Sequence, residues 1–315
     1  MPRRIALIAV GGNALLREKE RGRQEEQLEN ARECAEMFAQ VVQAGYSLCI
    51  VHGNGPQVGN ILLQQESASH HVPPYNLDIC DAMTQGSMGY MLERMLINRL
   101  AYLGLHTPVS TLLTEVVVDK HDPGFLDPAK PVGPFYSESR ARQLRKEKRW
   151  ILKEDAGRGW RKVVPSPKPL EIVQLPAIKH LLAKGHCVIA GGGGGIPVIR
   201  DASGFLVGVE AVIDKDRLSS LLASELKASL YVILTAVDKV ALDFGHPSER
   251  WVDRMTASQA GQYLEEGQFP RGSMGPKIES ALAFLQHGGD EVLITSIKAL
   301  AHEAYETVGT RIMKD

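Results

Sequence analysis

The sequence predicts an α/β fold in which a mostly parallel sheet is covered by helices on both faces. Short apolar runs alternate with helical patterns along most of the 315 residues, and this alternation is typical of parallel sheets. Three of the runs lead into glycine-rich segments that begin at Gly11, Gly53 and Gly191. Because the carboxyl ends of parallel strands meet at the edge where α/β folds bind ligands, these segments predict a site rich in backbone N–H groups. Such a site suits an anion, and phosphate above all.

The N-terminal part of the chain opens in the order β-α-β-α. Gly45 stops the first helix in the usual position just beyond a helix C-terminus, and Pro56 suits the first turn of the second helix. The predicted elements are a strand at 5–10, a helix at 25–44, a strand at 46–52, a helix from about Pro56, a helix at about 78–103 and a strand at 109–118.

Residues 120–167 depart from this alternation and predict an inserted lobe. The segment contains six prolines and short β-like pieces at 150–152 and 160–164. Its basic run at 145–149 is most simply a solvated helix face. We therefore predict one domain over residues 1–315, with a small protruding lobe at about 120–167.

The α/β alternation resumes after the lobe. Thr256 and Gln259 fit a capping box at a helix start. The predicted elements are a helix at 177–184, a strand at 186–190, a hairpin around 200–207, a strand at 209–213, a helix at 216–227, a strand at 230–237, a helix to about Glu266, a helix from Pro276 to about 288 and a strand at 291–295.

Composition excludes several classes of function. The net charge of −1 leaves no electrostatic footprint for nucleic acid, so small-molecule partners are expected. No apolar run approaches the roughly 20 residues that span a bilayer, and the N-terminus leads into a strand rather than a signal peptide, so we expect a cytoplasmic protein without a membrane partner. The cysteines and histidines lack metal-ligand spacing, which argues for free, mostly buried thiols and against a metal site made of protein side chains.

The familiar nucleotide-binding motifs do not fit. The segment from Gly53 to Gly59 follows a strand and opens a helix, but its glycine spacing differs by one residue from the dinucleotide fingerprint. The acidic residues that follow, Asp78 and Asp81, stand at a helix start rather than at the end of a second strand. No P-loop pattern occurs in the chain. Any nucleotide must therefore be held in another way.

Lys277 stands in the first turn of a predicted helix, after a flexible segment that begins at Gly272. A helix dipole disfavours a cation at this end unless an anion neutralises it, so the position favours a phosphate-binding role. The alternative interpretation is an exposed Lys277 that pairs with Glu279 or another nearby carboxylate.

Lys215 lies between Asp214 and Asp216, at the edge that carries the glycine turns. Asp216 is the expected N-cap of the next helix, and Lys215 is expected to project from the end of the strand at 209–213. Phosphoryl transfer needs positive charge around the transferred group and little covalent chemistry. Two lysines near one anion site therefore favour phosphoryl transfer.

Taken together, several segments form a specific family pattern. They are Gly11-Gly12-Asn13-Ala14-Leu15, His52-Gly53-Asn54-Gly55-Pro56-Gln57-Val58-Gly59, Met83-Thr84-Gln85-Gly86 with Gly89-Tyr90, Lys130-Pro131-Val132-Gly133-Pro134-Phe135, Ser166-Pro167-Lys168-Pro169, residues 192–198, Val212-Ile213-Asp214-Lys215-Asp216, and Gly272-Ser273-Met274 with Pro276-Lys277. With them the chain closely resembles the carbamate kinases of the amino acid kinase superfamily, from Ile5 to the C-terminus.

The resemblance implies a three-layer α/β/α sandwich with a mostly parallel sheet of about eight strands, a protruding lobe and a homodimer. It also implies the reversible reaction of ADP and carbamoyl phosphate to ATP and carbamate, which breaks down to ammonia and carbon dioxide. The common family role is ATP formation in arginine fermentation. Mg²⁺ would arrive with the nucleotide, held mainly by phosphate oxygens and water.

The resemblance also assigns roles to individual residues. Lys215 and Lys277 would flank the transferring phosphoryl group, Asp216 would orient them, and Lys130 would reach carbamoyl phosphate from the lobe. The implied phosphate and substrate site consists of Gly11, Gly12, Asn13, Gly53, Asn54 and Gly55, with the N–H groups of Gly11, Gly12, Gly53 and Asn54 offered to phosphate oxygens. The implied nucleoside site consists of Thr235, Ala236, Val237, Asp238 and Met274.

No nucleophile is apparent in the sequence, so direct in-line transfer is the expected mechanism. Two alternatives stay open. The first is another acyl-phosphate-forming amino acid kinase, such as an acetylglutamate kinase. The second is a catalytically silent nucleotide-binding sensor with the same fold.

Overall fold

A computed structural model describes residues 4–17, 20–155, 157–270, 273–302 and 307–315. Its α-helices are α1 Gln24–Gln43, α2 Gly55–Ala68, α3 Leu77–Tyr102, α4 Glu138–Lys148, α5 Leu175–Ala183, α6 Lys215–Glu225, α7 Ala257–Glu265, α8 Met274–Gln286 and α9 Ile297–His302. Its strands are β1 Ile5–Val10, β2 Ser47–His52, β3 Val109–Thr111, β4 Glu115–Val118, β5 Lys130–Tyr136, β6 Leu152–Glu154, β7 Trp160–Val164, β8 Pro169–Ile172, β9 Cys187–Ile189, β10 Ile196–Arg200, β11 Leu206–Gly208, β12 Leu230–Thr235, β13 Val240–Leu242, β14 Arg250–Val252, β15 Arg254–Thr256, β16 Glu291–Ser296 and β17 Thr310–Met313.

The central sheet has eight strands in the order β15-β17-β16-β12-β1-β2-β9-β3. The six strands from β16 to β3 are mutually parallel, and β17 runs antiparallel to β16. The predicted sheet of about eight mostly parallel strands is therefore confirmed.

Helices cover both faces of this sheet, as the alternating burial of β1 illustrates. Ala6, Ile8 and Val10 pack into a core that includes side chains of α1, α3 and α9, whereas Leu7 and Ala9 pack into a core that includes side chains of α5, α6, α7 and α8. A strand that is buried on both faces has no polar side, which explains its continuous apolar sequence. The result is the predicted three-layer α/β/α sandwich.

Three local predictions were wrong, two of them because hydrogen bonds to distant segments decide the structure there. The strand predicted at 109–118 is split into β3, in the central sheet, and β4, in a separate sheet of order β11-β10-β4-β8. Residues 209–213 are not a strand, since the N–H groups of Val209 and Val212 donate to two different segments, at the carbonyls of Pro197 and Pro165.

The third error concerns the N-cap of α6, which is Asp214 rather than Asp216. The Asp214 carboxylate accepts hydrogen bonds from the N–H groups of Asp216 and Arg217. The helix therefore begins at Lys215, and Asp216 lies in its first turn.

The predicted lobe region contains a small sheet of its own, in the order β5-β7-β6, with α4 between β5 and β6. Most of the basic run at 145–149 is exposed at the end of α4, as expected for a solvated helix face, but Lys148 pairs with Glu66 and Arg145 donates to the carbonyl of Leu152. The division into one domain with a lobe at about 120–167 stays a prediction.

None of the helices in the described ranges is long and apolar enough to cross a membrane. All four cysteines are buried. Burial raises the pKa of Cys34 and of Cys49 to about 12, so these two thiols stay protonated at neutral pH.

Candidate functional site

The site lies at the carboxyl edge of the central sheet, where β12, β1 and β2 are neighbours. The turn at Gly11 and Gly12 follows β1, and the turn at Gly53 follows β2. A Cβ atom on Gly53 would lie 2.8 Å from the Gly12 nitrogen and 3.4 Å from Cδ of Lys215. Only glycine allows the two turns and this lysine to approach so closely.

The glycine turns supply several backbone donors. Among the described residues, the N–H groups of Gly11, Gly12, Asn54 and Gly55 have no hydrogen-bond acceptor. Those of Asn54 and Gly55 belong to the unsatisfied N-terminus of α2, a favourable position for an anion. The Gly53 N–H is different, because it donates to the carbonyl of Val10 at 2.7 Å.

That bond corrects one expectation, namely that the Gly53 N–H faces phosphate. Gly53 serves the site through its missing side chain. Asn13 lies in a single 3-10 turn at Gly12–Ala14, and its side chain is outside the described part of the chain.

The Asp216 carboxylate joins two lysines from different helices. Its Oδ1 accepts a hydrogen bond from Lys215 Nζ at 2.5 Å, and its Oδ2 accepts one from Lys277 Nζ at 3.2 Å. The side chains are 8%, 14% and 17% exposed for Asp216, Lys215 and Lys277. Burial alone would raise the pKa of the Asp216 carboxyl, but the two ammonium groups outweigh it and hold that pKa well below its usual range.

A third lysine reaches the same place from β5. Lys130 Nζ donates to Oδ2 of Asp214 at 2.7 Å, across 84 positions of sequence. Burial opposes ionisation of Asp214, yet the Lys130 charge leaves the pKa of that carboxyl lowered. Three lysine side chains and two aspartate side chains thus meet at the N-terminus of α6, with a formal net charge of +1.

A buried hydroxyl pair joins α6 to α8 beneath these charges. Ser280 Oγ of α8 donates to the carbonyl of Asp216 at 2.6 Å and lies 2.8 Å from the hydroxyl of Tyr231 on β12. These contacts fix the helix that carries Lys277 against the helix that carries Lys215. Sequence reasoning missed Ser280 and Tyr231, because neither residue stands in a recognisable motif.

The residues predicted for the nucleoside follow β12 at the same edge. Thr235 is the last residue of β12, and Val237 is half-buried in the turn that follows, while Ala236 and Asp238 are exposed. The Asp238 carboxylate accepts a hydrogen bond from Ser296 Oγ at the end of β16. Met274 is the first residue of α8, one turn before Lys277, and Gly272 lies outside the described residues.

The third glycine-rich segment is buried and packs beneath the site. A Cβ on Gly192 would lie 2.5 Å from the His52 ring, and one on Gly193 would lie 2.4 Å from the Asn54 amide nitrogen. Gly191 and Gly193 also have φ values of +66° and +71°, which favour glycine. This segment therefore supports the residues after β2 rather than opening toward a ligand.

Asn54 is held from the interior by α3. Its Nδ2 donates to Oδ1 of Asp81 at 2.9 Å and to Oγ1 of Thr84 at 2.8 Å. The side-chain amide thus points into the core, while the backbone N–H of Asn54 has no acceptor among the described residues. Burial raises the pKa of Asp81 to about 8, although the Asn54 hydrogen bond opposes this. Burial also lowers the pKa of His52 to about 4, so this ring is neutral at physiological pH.

No group of three or more histidines, cysteines or carboxylates within the described ranges is arranged to hold a metal ion. The two aspartates of the site are already engaged by lysines.

Comparison with known proteins identifies the class. The model of the amino acid kinase family matches residues 4–296. The chain is 46% identical over 312 residues to the carbamate kinase of Thermococcus kodakarensis, which covers 98% of this chain and 99% of that protein. It is 43% identical over 313 residues to a carbamate kinase-like protein of Escherichia coli, at 98% and 99% coverage. The chain therefore belongs to the amino acid kinase family.

Comparison with solved structures narrows the relationship to the carbamate kinases. The carbamate kinase of Giardia lamblia bound to AMP-PNP superimposes with a TM-score of 0.92 at 40% identity, and 99% of each chain is covered. The full-length similarity to carbamate kinases confirms the resemblance predicted from the sequence.

Replacement of Asp81 tests the buried contact behind Asn54. The folded-state pKa of about 8 exceeds the ordinary value of 3.8, so the folded protein holds this proton more tightly than the unfolded chain does. The stability gained by protonation is complete below pH 3.8 and is lost as the pH rises to about 8. Asp81→Asn keeps a neutral acceptor for Asn54, so its melting temperature should exceed that of wild type by a growing margin over this interval.

Thermal unfolding measured across this pH interval checks the expectation. Asp290→Asn, an exposed carboxylate paired with Lys314, is the control and should show no growing margin. A constant difference between Asp81→Asn and wild type at every pH would contradict the raised pKa. Asp78 and Glu210, the other carboxylates that act on Asp81, are unchanged in this comparison.

Proposed function

We propose that the protein is a carbamate kinase that transfers a phosphoryl group reversibly between carbamoyl phosphate and ADP. The observation that carries this proposal is the convergence of Lys130, Lys215 and Lys277 on two aspartates beside the glycine turns. A transferred phosphoryl group needs this combination of fixed cations and backbone N–H groups. Full-length similarity to carbamate kinases supports the choice of acceptor.

In the proposed site, Lys215 and Lys277 flank the transferring group and Asp216 holds their ammonium groups in place. Lys130 contacts the carbamoyl phosphate side from β5. The available N–H groups of Gly11, Gly12, Asn54 and Gly55 bind phosphate oxygens. Positioning and charge stabilisation would then account for catalysis by direct in-line transfer, without a phosphoenzyme.

Mg²⁺ would enter with ATP or ADP and neutralise part of the phosphate charge. Because the lysines already engage Asp214 and Asp216, phosphate oxygens and water are its expected ligands. We assign the nucleoside to the edge formed by residues 235–238 and Met274, with Asn13 beside the phosphates.

The cellular setting follows from the resemblance. We propose a cytoplasmic enzyme that forms ATP from carbamoyl phosphate during arginine breakdown, with no nucleic acid or membrane partner.

We also propose a homodimer that uses the outer face of α3. Ile79, Met83, Tyr90 and Ile97 are 45%, 40%, 58% and 43% exposed. Their spacings of four and seven residues place them on one side of the helix. An exposed row of apolar side chains of this kind is typical of a protein interface.

Removal of Lys277 tests the proposed chemistry. Lys277→Ala should lower kcat for ATP formation from ADP, Mg²⁺ and carbamoyl phosphate by about 10²–10³, the usual effect of losing one charge-stabilising donor. ADP affinity, measured by calorimetry, should change much less. Lys179→Ala, which removes an exposed lysine paired with Glu225, is the matched control and should retain wild-type kcat.

A panel of substrates separates this function from the alternatives. Carbamoyl phosphate, acetyl phosphate and N-acetylglutamate with ATP are compared on the same preparation. Turnover of N-acetylglutamate alone would identify another acyl-phosphate-forming kinase. ADP binding without turnover of any substrate would favour a silent sensor. A Lys277→Ala variant whose kcat stays within about threefold of wild type would show that Lys277 does not stabilise the transition state.

A charge on the α3 face tests the dimer. Tyr90→Glu should weaken self-association about tenfold or more, because the aromatic contact is lost and a carboxylate, even one paired with Arg94, would have to be desolvated at the interface. Sedimentation equilibrium measures the dissociation constant. Phe244→Glu, a change at an exposed aromatic residue near β13, should leave it unchanged, and equal weakening by both variants would place the interface elsewhere.

A further inference from the structure

A cavity separate from the candidate site lies between α2, the residues before α3 and the small sheet that carries Lys130. Its volume is about 370 Å³, which falls in the range of small-molecule sites. Leu62, Leu77 and Val132 supply apolar walls, and Tyr136 and Trp150 supply aromatic ones. None of the residues assigned to phosphate or nucleoside binding lines this cavity.

Lys162 on β7 is an incompletely satisfied cation in the wall of this cavity. Its side chain is 17% exposed, and its closest carboxylate oxygen, on Glu210, is 3.9 Å from Nζ. Among the described residues, Nζ makes no hydrogen bond and otherwise lies 4.8 Å from the centre of the Trp150 ring. Burial lowers the pKa of Lys162. A partly desolvated ammonium group with donors to spare is suited to an anion.

The other charged side chains of the cavity limit the charge that a ligand can carry. Lys148 also lies against Trp150, with Nζ 4.9 Å from the ring centre, but it shares Glu66 with Tyr136 and Arg140. Glu66 and Glu210 balance the two lysines, so the wall carries no net charge. A multiply charged anion would meet two carboxylates, whereas a single carboxylate can pair with Lys162. The aromatic walls favour a flat apolar body.

The cavity is linked to Lys130 through β5, which lines the cavity and carries this lysine. A Cβ on Gly59 of α2 would lie 3.3 Å from Cα of Gly133, so α2 and β5 touch at this point. Lys130 lies three residues before Gly133 on β5, on the side of the contact that faces Asp214. Val132, Gly133 and Pro134 line the cavity. A ligand that displaces Val132 therefore acts two residues from Lys130 on the same strand.

We propose that this cavity is a second binding site, for a small monocarboxylate with a flat apolar body, and that its occupant alters the placement of Lys130. The carboxylate pairs with Lys162 and the body lies against Tyr136 and the apolar wall of Leu62, Leu77 and Val132. The effect on catalysis rests on the proposed role of Lys130, whereas the binding itself does not.

Calorimetric titration of the whole protein with benzoate and with benzamide tests the binding. The two molecules have nearly the same shape, and only benzoate carries a charge. Benzoate should bind in a saturable manner and benzamide about tenfold more weakly or worse, because the charge-assisted hydrogen bond is lost. Lys162→Gln should remove the preference for benzoate, and Lys153→Gln, a lysine of the same small sheet that pairs with exposed Asp127, should keep it.

Several results would refute the proposed binding of a carboxylate in this cavity. Equal binding of benzoate and benzamide, or no saturable binding to wild type, would refute a carboxylate site without reference to any variant. Mutually exclusive binding, in which the apparent Kd of benzoate rises without limit as ADP or carbamoyl phosphate is added, would place benzoate at the catalytic edge instead, whereas coupling between two sites changes that Kd only to a plateau.

The coupling has its own measurements. Saturating benzoate should change the KM for carbamoyl phosphate and the hydrogen exchange of residues 130–136, and neither change should occur in Lys162→Gln. Unchanged exchange at saturation would refute the coupling even for a protein without kinase activity.

Discussion

The candidate site depends on one buried carboxylate, that of Asp216, which binds Lys215 and Lys277 at the same time. Both lysines stand near helix N-termini, where the dipole repels cations. Asp216 lies in the first turn of α6, where the same dipole favours an anion, and it can therefore hold both cations at an otherwise unfavourable place. Removing this carboxylate would leave two partly buried ammonium groups unpaired, a costly arrangement in a protein interior.

Asp216 is itself positioned by backbone interactions. The N-cap bond from Asp214 fixes the first turn of α6, and Ser280 holds the Asp216 carbonyl from α8. The lowered pKa of Asp216 means that its contribution to stability is present above its ordinary range near 3.8 and is lost only as the pH falls through strongly acidic values. The arrangement of charges therefore persists across the pH range in which phosphoryl transfer would operate.

The sequence predicted the central sheet well, because β1, β2 and β12 are buried on both faces and read as continuous apolar runs. It also predicted that Lys215 and Lys277 belong to one anion site, since both lie beside glycine turns or helix starts. The pair of Lys130 with Asp214 could not be located in the same way, because 84 residues of chain separate them. The hydroxyl pair of Ser280 and Tyr231 depends on tertiary packing and leaves no local signal, whereas the misplaced N-cap of α6 is a local error of two residues.

The three lysines differ in how firmly they are held, and this difference fits their proposed roles. Lys215 and Lys277 are 14% and 17% exposed and share a buried carboxylate, so their separation from it is costly. Lys130 is 34% exposed and pairs with a different carboxylate, Asp214, which is 23% exposed. Its ammonium group is therefore more accessible than those of the two deeper lysines. The site therefore combines two buried cations that share one carboxylate with a third, more accessible cation carried by β5.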